Sequence, residues 1–262
     1  MAFWRGKSPS QDPCHRTTKM LDLTRHAVEE ITGDILPDYK LWISLQNKTL
    51  PRNIKGFLWC TMHSSHKIGH YWQKMSKPEF TERAICEHCS AIENMDHILT
   101  SCELSGQGIV WELAEAAWSL THKDWVFPSI GVILSCGLNI YVNNKGRPDK
   151  GLNCLCTIII SESAHLIWKI RCEWQVGRGG SYEKLHHQKE IKNMWFLAMY
   201  QRLLLDKWSS DTKYGGKALR KSTLVNTWKH LIPSEDIWTS DKQSFTRVLV
   251  GKGLGRPKEC NR

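Results

Sequence analysis

The sequence predicts a mainly α-helical protein, a helical domain with an irregular Cys3His zinc-knuckle loop and few or no strands. Apolar residues recur at helical spacing along several long segments. Strand signals are few. One segment, CEHCSAIENMDHILTSC from Cys86 to Cys102, places four soft metal ligands within 17 residues.

Residues 1–18 mix Gly, Ser, Pro and charge without period and are expected to form an unpacked lead-in. A helix is expected over Met20 to Glu30, and a short amphipathic turn or helix over Tyr39 to Leu45, before Pro51. Asn53 is placed to cap a helix in which Ile54, Phe57, Leu58, Thr61, Met62 and Ser65 share a stripe, as far as Gly69. Val110, Leu113, Ala114, Ala117 and Trp118 form the clearest amphipathic stripe. Trp125 to Leu138 is apolar, and its period fits a strand or a buried helix equally.

Asn143 to Gly151 (NNKGRPDKG) is a loop by composition and the best boundary between two halves. The expected organisation is therefore a helical zinc-binding domain over 19–142, a linker over 143–151, a C-terminal helical region over 152–250 and a basic tail over 251–262. In the C-terminal region, Leu155 to Trp174 is apolar nearly all round, as a buried central helix is, with Gly177 to Gly180 ending it. Further helices are expected over Tyr182 to Trp208 and Leu219 to Leu231.

With 262 residues and 41% hydrophobic content the chain can bury a substantial core, so it is not a disordered tail. No charged-then-apolar leader and no uninterrupted apolar run of 18 residues stands in the sequence. No membrane association is expected, and the expected location is intracellular, in the nucleus or cytoplasm. Ten cysteines at uneven spacing make a poor disulfide framework, so the clustered ones are read as metal ligands.

The cluster has the pattern C-x2-C-x7-H-x4-C. Cys86 and Cys89 suit one tight turn, and His97 and Cys102 close a tetrahedron around one structural Zn2+. Closed Cys3His coordination leaves no position for a reacting water. His97 and Cys102 lie about 140° apart on an ideal helix, so the helix must break between them, near Thr100 and Ser101. Ile98 and Leu99 would then point inward. His88 is the alternative fourth ligand, and a redox CxxC would need a βαβ context that is missing.

Lys plus Arg number 36 against 26 acids, a net charge of +10 that suits an anionic partner such as RNA or DNA. The surplus is unevenly placed. Residues 81–115 carry seven acids and one arginine, so the knuckle repels phosphate. Residues 39–78 carry Lys40, Lys48, Arg52, Lys55, Lys67, Lys74 and Lys77 with no acid, interleaved with Tyr39, Trp42, Phe57, Trp59, Tyr71 and Trp72. Basic charge beside aromatics is the footprint of single-strand binding, and a solvated basic face over an aromatic core gives the same pattern. Residues 213–262 form a second basic region.

No phosphate-binding glycine loop, nucleophile elbow or HExxH occurs, so no catalytic residue is assigned and no enzyme activity is expected. His186 and His187 read as a polar helix face, and His165 as a core group.

FLWCTMHSSHKIG, CEHCSAIENMDHILTSC and VWELAEAAW, in that order, resemble the reverse-transcriptase zinc-binding domain of non-LTR retroelement polyproteins. The C-terminal segments ISESAHLIWKIRCE, LLLDKW and KYGGKALRKSTLVNTWKH are similar to proteins of this type from fungal elements. The resemblance covers roughly Leu21 to Gly251 and implies Cys86, Cys89, His97 and Cys102 as the metal ligands. It implies a region that follows reverse transcriptase and RNase H, here detached or truncated, with a retroelement protein as a further partner. Ser90 stands where the family often has Gly. The expected function is a non-catalytic, nucleic-acid-binding accessory region. The alternative is a scaffold that docks a reverse transcriptase/RNase H or a second copy of itself.

Overall fold

The computed structural model describes residues 15–75, 81–102, 104, 106–138, 141–143 and 145–254. Most of them are helical, and the described residues form no strand, only isolated antiparallel bridges at Ile85–Ile92 and Val142–Pro148. Helix α1 spans His15–Thr32, α2 Asp38–Ser44, α3 Arg52–Met62 and α4 His70–Gln73. After the cysteine segment come α5 (Gln107–Ser119) and α6 (Ile130–Leu134). The central helix α7 (Lys150–Cys172) continues into a widened turn at Glu173–Gly177. Helices α8 (Gln188–Ser209), α9 (Lys221–Trp228), α10 (Asp236–Thr239) and α11 (Lys242–Gly251) follow.

Several elements differ from the sequence-based expectation, each for a local reason. Residues 15–18 of the expected lead-in already belong to α1, because Thr17 is buried and Met20 and Leu21 start its apolar face. Helix α3 is capped by Pro51 rather than Asn53, since the fixed proline φ of −64° with extended ψ delivers the chain straight into Arg52. Trp125 to Leu138 is an irregular approach followed by α6 and a short turn at Cys136–Leu138, and the Ser129 hydroxyl accepts from the Val132 amide. His186 and His187 precede α8, so they share no helix face. Lys77 and residues 255–262 of the expected tail lie outside the described residues.

Helix α7 organises the molecule. Lys150 to Gly177 is long and apolar enough to cross a membrane, but 72% of its apolar window is covered by neighbouring elements. Helices α3, α5, α6, α8 and α9 all pack on it. One apolar cluster runs from Met20 in α1 to Leu254, so the loop before α7 does not divide two cores. The approach of α9 is close: a Cβ at Gly151 would lie 2.4 Å from the Asn226 carbonyl oxygen.

Several tryptophans serve this core rather than the surface. Trp111, Trp118, Trp195 and Trp228 are fully enclosed, and each indole N–H finds an acceptor, at the Leu99 and Asp124 carbonyls, Ser163 Oγ and Asp206 Oδ2. Asp206 also accepts from Arg202 at 2.8 Å, and Arg202 lies 3.9 Å from Glu162 on α7. Burial pushes the Glu162 carboxyl up to about 7, against the pull of Arg202.

Candidate metal centre

The Sγ atoms of Cys86, Cys89 and Cys102 and a ring nitrogen of His97 all lie within 4.8 Å of one another. Cys86 and Cys102 are buried, whereas Cys89 stands at the solvent-facing rim. Their sulfurs are 3.7 Å apart, for Cys86 and Cys102, which is the edge of a tetrahedron whose metal–sulfur bonds are about 2.3 Å. His97 Nε2 is buried with no hydrogen-bond partner. A ring nitrogen in that state costs free energy unless something binds it. The donor that completes the group is therefore His97, not His88. Burial first, and then the neighbouring cysteines, push the Cys102 thiol up to about 12, and a bound cation would offset that cost.

Local backbone structure explains how the four donors meet. Cys86 and Ala91 pair at 2.8 Å, and the Ser90 amide donates to the Cys86 carbonyl at 2.7 Å, so the first two cysteines sit on a closed turn. That turn requires a left-handed residue, and Ser90 supplies it at φ +52°. Glycine takes this conformation without steric cost, whereas other residues incur about 1–2 kcal/mol. Ser90→Gly is accordingly expected to stabilise the metal-loaded protein by about 1 kcal/mol, read as a higher urea midpoint. An unchanged or lower midpoint would show that the Ser90 side chain contributes something the turn needs.

The second pair is joined by a widened helical turn, His97–Ser101, in which the Cys102 amide donates to the His97 carbonyl at 2.8 Å. The hydrogen bond thus links the two ligand residues themselves, and Cys102 then leaves in extended conformation. The required break falls where expected, but as a π-type turn rather than a simple helix end. Ile98 and Leu99 on this turn are fully buried, and Trp111 of α5 donates to the Leu99 carbonyl at 2.7 Å.

A buried ion pair ties the knuckle to α7. Arg171 Nε donates to Glu93 Oε1 at 2.9 Å, and Arg171 Nη2 bonds the same oxygen. Arg171 also donates to Gln175 at 2.6 Å and lies over the Trp174 ring. Gly69 makes room for this strand of chain, because a Cβ there would meet the Glu93 carbonyl oxygen at 1.9 Å.

Lys40, Lys48, Arg52, Lys67 and Lys74 are exposed, and half-buried Lys55 donates to the Gln46 carbonyl at 3.1 Å. Of the interleaved aromatics, Phe57 is buried in the core and packs on half-buried His165, whose pKa burial lowers to about 4. Trp42 and Trp59 meet with ring centroids 5.2 Å apart, and His63 stacks on Trp42 at 5.2 Å. Trp59 and Tyr39 are exposed. Tyr71 and Trp72 form a second pair, with Lys67 and Arg83 over their rings.

No family model, curated protein or solved structure matches this chain.

Proposed function

We propose that the cluster holds one structural Zn2+ and that the chain is a non-catalytic, nucleic-acid-binding accessory region of a retroelement polyprotein. Three thiolates and one imidazole in tetrahedral reach favour zinc, and a closed shell leaves no site for reaction at the metal. Zinc would hold the acidic knuckle against α7 and α5 and would not itself contact phosphate.

The observation that carries nucleic-acid binding is the Trp42–Trp59–His63 surface cluster inside a 40-residue stretch with no acidic residue. The exposed Trp59 indole would accept an unstacked base, and Lys40, Lys48 and Arg52, exposed on the same stretch of chain, would follow the backbone. Labelled single-stranded RNA should therefore bind with strong salt dependence, and Trp59→Ala should weaken it by about 1–3 kcal/mol. Absence of binding, or salt-insensitive binding, by folded and zinc-loaded protein would refute this reading.

The second reading is a scaffold that docks a reverse transcriptase/RNase H or another copy of itself. It is favoured by exposed Ile35, Tyr39 and Ile43, which recur every four residues. Co-purification of such a partner with protein that fails to bind RNA would select it.

A further inference from the structure

We propose that Glu173, His186 and Glu190 form a second binding site for a divalent transition-metal ion, separate from the cysteine cluster. These residues come from three segments: the widened turn that ends α7, the linker before α8, and the first turn of α8. One donor atom from each lies within 4.8 Å of the other two.

The histidine carries the inference. Its side chain is only 2% exposed, and its Nε2 lies 3.3 Å from Glu173 Oε1, within ion-pair reach but outside good hydrogen-bond geometry. His97 Nε2 in the cysteine cluster likewise has no hydrogen bond of good geometry. A buried imidazole nitrogen that converges with two carboxylates without good hydrogen-bond geometry is placed as a ligand is placed. A nitrogen donor favours Zn2+, Co2+ or Ni2+ over the hard, oxygen-seeking Mg2+ and Ca2+.

Arg178 now takes the place of the cation. Its Nη2 lies 3.0 Å from Glu173 Oε1 and 2.5 Å from Glu190 Oε1. Both carboxylates are partly exposed, at 46% and 37%, so an ion can enter and the guanidinium can swing out. Metal and Arg178 therefore compete for one pair of carboxylates. Three protein ligands leave at least one position to water, which makes this an exchangeable site, weaker than the closed cluster. Its ligation would fix the 173–190 strap, whose Trp174 supports Arg171.

The test is calorimetric titration of Zn2+ into the 262-residue protein already holding one equivalent in the cysteine cluster. Wild type should take up a second, weaker equivalent, and with Co2+ that second equivalent should add no sulfur-to-metal charge-transfer absorption. His186→Gln and Glu190→Gln should each weaken the second step by at least the roughly 10- to 100-fold seen on loss of a supporting group, with the first equivalent retained. Arg178→Gln should tighten it about tenfold or more, since a unit charge a few Å away acts strongly at a partly buried site. The last variant separates this site from a purely structural ion-pair cluster, which predicts no tightening. No second equivalent in large metal excess, a second equivalent unaffected by His186→Gln and Glu190→Gln, or no tightening in Arg178→Gln would overturn the proposal.

Discussion

Cys102→Ser is expected to abolish tight metal retention and to lower the thermal midpoint of the whole chain, not just to loosen a surface loop. Cys102 is buried at the point where the widened turn passes towards α5. Ile98 and Leu99 on this turn, and Met95 just before it, belong to the single apolar cluster, and the Leu99 carbonyl caps the Trp111 indole. Without metal, the segment would have to hold His97 Nε2 and three packed sulfurs in place with nothing between them. Structural zinc contributes on the order of 10 kcal/mol in small domains, comparable with the total stability of a typical protein. Chelation of the wild type under reducing conditions should reproduce the effect of Cys102→Ser, with amide protection lost first over 95–119. Equal melting of chelated and metal-loaded protein would show that the helices hold the knuckle unaided.

Glu93→Ala is expected to destabilise the protein by about 3–5 kcal/mol, the usual cost of leaving one member of a buried ion pair alone. The pair qualifies because Glu93 and Arg171 side chains are only 3% and 8% exposed. Removing the carboxylate strands a guanidinium against α7, where Gln175 and Trp174 compensate only in part. Replacing both residues together, as Glu93→Leu with Arg171→Met, should recover much of the loss, since an apolar pair of similar volume needs no compensation. Urea unfolding of the two single variants and the double variant measures this coupling. A cost for Glu93→Ala of only about 0.5 kcal/mol would mean that the pair behaves as an exposed one.

How much of this was legible in the sequence depends on how local the cause was. Helices α5 and α7 are legible because their apolar residues all face one core, and Val110, Leu113, Ala114, Ala117 and Trp118 are all buried. The four-donor cluster is legible because spacing alone requires a break between His97 and Cys102, although spacing does not say that the break is a widened turn. Helix α11 was legible but missed: Asp241 accepts from the Ser244 amide, and Phe245 and Leu249 lie four apart on the buried side. The Glu93–Arg171 pair joins residues 78 positions apart, so no local pattern announces it. Glu173, His186 and Glu190 likewise meet only because the chain folds back between α7 and α8. Pattern also did not separate core from surface aromatics, since Phe57 and Trp59 are two residues apart and face opposite ways.

The most direct test of the central claim is zinc K-edge absorption on reduced, extensively dialysed wild-type protein. One zinc per chain with three sulfur neighbours at about 2.3 Å and one imidazole nitrogen is the expected result. Folded protein that retains no zinc after dialysis, or zinc with a shell of nitrogen and oxygen alone, would contradict a Cys86, Cys89, His97 and Cys102 centre.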